Sequence, residues 1–259
     1  MNGVFYIGAT GLDTQQRALD IVGNNIANMN TRAFKASHPQ FSQLVASAPT
    51  SKDDSDAASG TDTQPTLLGV QLDGAPVDFT PGQLTETDAP LDLAINGSGF
   101  LELIGPAGQT MLWRGGTLMV NADGYLSASN GMPLQGMISV PRDASALTIG
   151  ADGKVTATLP GATQPVAIGQ IDIAQANDPT TLTQMSGGLY VAASDGDISH
   201  SAPGADGAGI LAQGFSEASN VNLAEEMVTL MLMQRTYSAN AQVVQAGDQL
   251  MAIANELKR

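Results

Sequence analysis

Residues 221–257 read VNLAEEMVTLMLMQRTYSANAQVVQAGDQLMAIANEL. The stretch predicts one long helix, about 55 Å if continuous, because each helical residue rises roughly 1.5 Å. Ser219 or Asn220 can cap its start, and Glu225 and Glu226 suit its positive end. Lys258 and Arg259 suit the negative one. Two apolar stripes run along it at alternating three and four spacing. One is Leu223, Met227, Leu230, Tyr237, Ala241, Val244 and Met251; the other is Leu232, Ala239, Val243, Ala246, Leu250, Ile253 and Leu257. A surface helix of a monomer buries one stripe, so two imply cover on two sides.

At the other end of the chain, residues 4 to 28 also predict a helix. Phe5, Leu12, Leu19 and Ile26 recur every seven residues, with Val22 three after Leu19. Gly3, Gly8, Gly11 and Gly23 weaken it, each by roughly 1 kcal/mol against Ala. Asn24, Asn25, Asn28 and Asn30 then favour caps and turns over more helix. Residues 46 to 66 hold Ser, Thr, Asp, Ala, Pro49 and Pro65 without a large apolar side chain, and predict a linker or exposed loop.

Between these lies a region, 67 to 215, that reads as all-β. Short runs of Val, Ile and Leu alternate with Asp73-Gly74, Pro81-Gly82, Asp123-Gly124, Asp152-Gly153, Asp195-Gly196 and Asp206-Gly207. Residues 121–126 and 150–155 share the pattern x-Ala-Asp-Gly-x-apolar, which predicts a repeated turn. A calcium loop would need further oxygen ligands and a closing Glu, which neither segment supplies. The expected class is α+β. Paired N- and C-terminal helices (1–45 with 216–259) form a coiled-coil-like domain, and a mainly antiparallel β domain occupies the centre.

Composition narrows the function. The chain has 259 residues, 25 acids against 10 bases, and a net charge of −15. Such a balance opposes nucleic acid and anionic membranes, whose phosphates need a basic surface. Cysteine is absent, so disulfides and thiolate chemistry are excluded. His38 and His200 are the only histidines, and both read as surface residues. The first cation is Arg17, so no basic segment precedes an apolar one as in a cleaved secretory signal. The longest nearly apolar run, Met227 to Met233, is too short for a bilayer. A soluble chain without a cleaved signal is expected. Gly97-Ser98-Gly99 reads as a turn and not a nucleophile elbow, because its glycines flank Ser98 directly. Trp113 and Arg114 read as packing and capping a hairpin.

Further motifs carry a resemblance. Gly-Leu-Asp-Thr-Gln-Gln (11–16), Asn24-Asn-Ile-Ala-Asn-Met-Asn-Thr31 and Phe34-Lys35 resemble the amino-terminal signature of bacterial flagellar rod and hook proteins. Ser219-Asn-Val-Asn-Leu-Ala-Glu-Glu-Met227, Gln234-Arg-Thr-Tyr237, Asn240 and Asp248 resemble the carboxy-terminal one. Asp92-Leu-Ala-Ile-Asn-Gly-Ser-Gly-Phe100, residues 149–155 and Val166-Ala-Ile-Gly-Gln170 are similar to the family's central motifs. Length and the run of central motifs are most similar to the distal-rod branch, with proximal-rod and hook branches as alternatives. The family usually carries Gly where this chain has Ala33; a turn there needing positive φ would be strained by Ala.

The resemblance implies a structural subunit, with no catalytic residue, cofactor or metal. It implies passage unfolded through the flagellar type III export apparatus and polymerisation in the periplasm into a hollow tube that transmits torque and conducts later subunits. The implied partners are further copies of the chain, other rod proteins and hook protein axially, and ring proteins around the rod, without nucleic acid or membrane insertion. Pattern and resemblance together nominate a subunit interface of Leu12, Leu19, Asn24, Asn25, Ile26, Asn28, Asn30, Asn220, Asn222, Met227, Leu230, Gln234, Arg235, Tyr237, Asn240, Val244, Leu250 and Met251. Two other classes fit less well. An acidic ligand-binding β module would need a concave pocket lined by aromatics, which make up 4% of the chain. A hydrolase would need paired carboxylates, and most acids here lie in turns.

Overall fold

The computed structural model describes residues 2–46, 66–161, 164–192 and 195–256. The expected linker falls almost wholly outside the described residues, as do Leu257, Lys258 and Arg259. Two long helices stand at the ends: α1 (Asn2–Ala27) and α2 (Leu223–Glu256). The chain divides into two compact units. One comprises Met1–Ala27, Ser37–Pro76 and Asn222–Arg259; the other comprises Asn28–Ala36 and Val77–Val221.

The first unit holds both helices and an antiparallel hairpin of β1 (Gln40–Ala46) and β2 (Thr66–Gly74). The hairpin packs on α1, so this part of the β region lies with the helices, and the second unit resumes at residue 77 rather than 67. Two contacts explain the docking. The Thr14 hydroxyl donates to the Val70 carbonyl at 3.1 Å. A side chain at Gly69, whose φ is +120°, would overlap Thr10.

The helices pair antiparallel. Ala18, Val22 and Met233 are buried between them, with Leu19, Ile26 and Leu230 partly buried around these. Near the start of α1, a side chain at Gly8 would collide with Val244, and one at Gly11 would press on Asn240. Two of the glycines that weaken α1 as an isolated helix, Gly8 and Gly11, therefore make room for α2, whereas Gly23 faces open space. Asn222 caps α2, its Oδ1 accepting from the Ala224 amide at 3.1 Å. The sequence pattern expects the cap at Ser219 or Asn220. Ser219 instead accepts from the Val221 amide, and the Asn220 amide is engaged elsewhere, as described below.

The second unit contains β3 (Leu84–Glu86), β4 (Asp92–Asn96), β5 (Leu101–Ile104), β6 (Thr110–Trp113), β7 (Gly115–Val120), β8 (Leu126–Ala128), β9 (Ala146–Ile149), β10 (Lys154–Thr158), β11 (Val166–Gln170), β12 (Ile173–Ala176), β13 (Thr183–Met185), β14 (Leu189–Val191), β15 (Ile198–Ser201), β16 (Ile210–Gln213) and β17 (Phe215–Glu217). Two four-stranded sheets, β16-β4-β7-β8 and β13-β14-β6-β5, and the three-stranded β11-β10-β9 are antiparallel throughout. Leu93, Ile95, Leu101, Leu103, Leu118, Leu126, Val155 and Ile173 form the main core. The two x-Ala-Asp-Gly-x-apolar segments adopt the same turn. The Gly124 and Gly153 amides donate to Asn121 and Gly150, and both glycines have φ of +85°.

A second, aromatic cluster surrounds Tyr190. Phe79 meets Tyr190 edge-on at 5.1 Å and Phe100 edge-on at 5.4 Å. The Tyr190 hydroxyl is buried without a partner among the described residues. Burial pushes its pKa up to about 12. The folded state thus keeps a proton that the unfolded chain releases near pH 10. Its contribution to stability is complete below pH 10 and is lost as pH rises towards 12. Tyr190→Phe removes an unpaired buried hydroxyl, so it is expected to raise stability at pH 7 by about 1 kcal/mol. It is also expected to shrink the loss between pH 10 and 12. Urea unfolding at both pH values checks this.

Ala33 has a φ of 55°, in the left-handed region where a Cβ is strained. The expectation about this position is met: the turn has the geometry of a glycine and carries an alanine. Ala33→Gly is expected to stabilise the fold by about 1 kcal/mol. A shift of the urea midpoint upward, at unchanged slope, is the readout.

Candidate assembly surface

The nominated residues fall into groups with different surroundings. Leu19, Ile26 and Leu230 pack inside the helix pair, and Leu12 is half-buried on the same helix. Asn240 and Val244 lie against Gly11 and Gly8. Asn222 is the cap. Asn24 and Asn30 are exposed, and Asn28 accepts from the Thr31 hydroxyl at 3.0 Å.

Asn25 is buried and engaged within the chain. Its Oδ1 accepts from the Ser37 amide at 3.0 Å, and its Nδ2 donates to the Ser37 carbonyl at 2.8 Å. The same Nδ2 donates to Glu226 Oε1 at 2.9 Å. Asn220 does comparable work in the second unit. Its Oδ1 accepts from the Ala36 amide, and its Nδ2 donates to the Asp78 carbonyl, both at 2.8 Å. An amide suits such positions because it offers a donor and an acceptor side by side, as a peptide group does.

Of the remaining nominated residues on α2, Met227, Gln234, Arg235 and Leu250 are exposed. Tyr237 and Met251, each 38% exposed, lie in seven-residue phase with the inward Leu230 and Val244, at the edge of the face that meets α1. Leu250 belongs to a larger apolar face. Leu232, Val243, Leu250 and Ile253 are 63%, 52%, 66% and 54% exposed, and Val228 and Met231 are exposed beside them. Of the two predicted stripes, Leu232, Val243, Leu250 and Ile253 are uncovered in the single chain. The first stripe supplies Leu230 and Val244 to the face that meets α1, and Glu226, the buried Met233 and Asn240, which lie outside both stripes, complete that face.

The second unit holds a buried ionic cluster that motif reading did not reveal. Glu217 receives Lys35 Nζ at 2.7 Å and Arg114 Nε and Nη2 at 3.2 Å each. All three side chains are almost fully buried. The Gly82 amide donates to Glu217 Oε1 at 2.8 Å, and Lys35 also donates to the Thr80 carbonyl at 2.8 Å. Arg114 donates to the carbonyls of Gly97 and Gly99 and lies 5.8 Å from the Phe100 ring centre. It does cap the predicted turn at Gly97–Gly99, but as part of this cluster. Burial lowers the Lys35 pKa below the usual lysine range, and Glu217 opposes that shift. His200, expected as a plain surface residue, is exposed and pairs with the buried Glu102 at 2.9 Å.

Removing Glu217 would leave two buried cations unpaired, which costs about 3–5 kcal/mol. Glu217→Leu is expected to destabilise by that amount. The triple variant Lys35→Met, Arg114→Met, Glu217→Leu is expected to recover most of the loss, since it leaves no charge behind. Equal destabilisation of the single and triple variants in urea would contradict this account.

These features define an α+β protein whose terminal helices pair and leave an apolar face of α2 open to association. Three family descriptions match the chain. "Flagella basal body rod protein" matches residues 5–35, "Flagellar hook protein FlgE/F/G D1 domain" residues 94–157, and "Flagellar basal body rod FlgEFG protein C-terminal" residues 212–257. Among curated proteins, the flagellar basal-body rod protein FlgG of Buchnera aphidicola subsp. Baizongia pistaciae is 34% identical over 95% of this chain and 96% of its own. FlgG of Caulobacter vibrioides is 34% identical over 96% and 97%, and FlgG of Bacillus subtilis 31% identical over 98% of each. The chain belongs to the flagellar basal-body rod and hook protein family. It is a structural subunit of the rod, of the distal-rod type.

Proposed function

We propose that the chain polymerises helically through its terminal helices into the hollow drive shaft of the rod, the helix pair acting as a coiled-coil-like inner layer. The observation that carries this reading is the open apolar face of α2, from Val228 to Ile253. An apolar strip of this kind on a lone chain is a contact surface awaiting cover. Met227, Gln234, Arg235 and Leu250 sit on or beside it and would meet neighbouring copies, while Tyr237 and Met251, at the edge of the helix seam, would close its margin. Asn24, Asn28 and Asn30 would add polar contacts at the end of α1. The inward residues Leu12, Leu19, Asn25, Ile26, Leu230, Asn240 and Val244 would act indirectly, by holding α2 in place.

The wider reading follows the family. Other rod proteins and the hook protein would lie axially and ring proteins around the shaft, and the flagellar type III export apparatus would deliver the chain to the periplasm. Two features support delivery in an unfolded state. The chain has no cysteine to cross-link before threading, and the glycines of α1 make that helix weak without its partner. No described helix is long and apolar enough to cross a membrane.

Leu232→Asp with Val243→Asp tests the surface. Both positions are exposed, so the isolated chain is expected to keep its urea midpoint within about 0.5 kcal/mol. Incorporation into rods is expected to fall to background and motility to be lost. Normal motility together with sedimentable polymer would refute the reading.

A further inference from the structure

The apolar pattern of the helix pair does not by itself select one alignment. On α1, Phe5, Leu12, Leu19 and Ile26 are seven residues apart; on α2, so are Leu230, Tyr237, Val244 and Met251. Sliding one helix by seven residues, about 10 Å, again sets large apolar side chains against large apolar side chains. The observed alignment sets Gly8 by Val244, Gly11 by Asn240 and Asn25 by Glu226. The last of these pairings is buried and polar, and it tolerates no slip. Sliding α2 one way brings Glu226 to the level of Ala18, a methyl group with no proton to donate. Sliding it the other way brings Asn25 to Met233 and takes away its carboxylate acceptor. A buried carboxylate or amide without its partner is costly, while a displaced leucine finds another apolar neighbour.

We infer that Asn25 and Glu226 are positioning residues that set the register of the helix pair, and thereby which side of α2 is left outward. Asn25 is suited to this because it is itself fixed: Ser37 holds its Oδ1 and shares its Nδ2, so the amide cannot rotate to follow a shifted partner. Glu226 is fixed from its side by the first turns of α2, where its amide donates to the Asn222 carbonyl at 3.0 Å. Gly8 and Gly11 mark the same alignment sterically at the other end of the pair. This is the established use of a buried polar residue in paired helices, choosing one alignment among apolar equivalents. The register belongs to the single chain. Its consequence for assembly rests on the proposed polymer, and the two are read out separately below.

The chain has no native cysteine, so introduced pairs report alignment directly. Ala18→Cys with Met233→Cys reports the observed register, and Ala18→Cys with Asn240→Cys reports a seven-residue slip. In the dilute full-length chain, intrachain disulfide is expected for the first pair and background for the second. With Asn25→Leu and Glu226→Leu added, the slipped pair is expected to rise several-fold as the first pair falls. Glu226→Gln, which still accepts from Asn25, is expected to keep the original pattern, whereas Glu226→Leu alone is expected to shift it. An unchanged pattern in both leucine backgrounds overturns the inference, as does absence of the first disulfide without those changes. Incorporation of the leucine variants into rods is scored independently. A register shift without loss of incorporation would leave the inference standing and count against the proposed polymer surface.

Discussion

The second unit depends on one carboxylate. Glu217 lies at the end of β17 and gathers Lys35 from the segment after α1, Gly82 from the loop before β3, and Arg114 from the link between β6 and β7. Arg114 in turn holds the turn between β4 and β5 through Gly97 and Gly99. Segments far apart in sequence thus meet at one buried group, and each supplies a proton. Charges so deep are tolerable only because every one is paired and hydrogen-bonded. Hydrophobic side chains could fill the same volume, but they would not specify which segments converge. The Ala33 turn belongs to this arrangement, since its amide donates to the Glu217 carbonyl at 2.8 Å. A strained alanine persists where neighbouring bonds fix the backbone on both sides.

Much of the fold was legible because it is written in periodicity. The seven-residue repeat of Leu12, Leu19 and Ile26 identified the inner face of α1, and Asp123-Gly124 and Asp152-Gly153 identified matching turns. What escaped was long-range. Glu217 and its partners are separated by 182 and 103 positions, and nothing local to Phe215-Ser-Glu217 marks a buried acid. Lys35 was visible only as part of a family motif. On α2 the first stripe was partly right, since Leu230 and Val244 do meet α1. Apolar residues crowd nearly the whole circumference, and Glu226, Met233 and Asn240, which complete the buried face, fell outside both stripes. A carboxylate and an amide on the inner face broke the pattern that periodicity relies on, and Glu226 read more simply as a helix-dipole partner.

The glycines of α1 were misleading for a related reason. Propensity scores Gly8 and Gly11 as losses, and in an isolated helix they are. Against a partner they remove the side chain that would hold the two axes apart. A local cost and a tertiary gain sit at the same residue, and only the partner's position distinguishes them.

The engagement of Asn25 has a chemical consequence over time. Asparagine side chains convert slowly to aspartate through attack of the following backbone nitrogen on the side-chain carbonyl, which releases ammonia, followed by hydrolysis. At Asn25 that reaction would exchange the Nδ2 donor for a second oxygen, set 2.9 Å from Glu226 Oε1. Attraction would become repulsion between two buried carboxylates, and the Ser37 carbonyl would lose its donor. The reaction requires the following backbone nitrogen to reach the side-chain carbonyl. Here helical backbone and the hold on Ser37 keep them apart. The contacts that align the helices therefore also preserve the group that makes them.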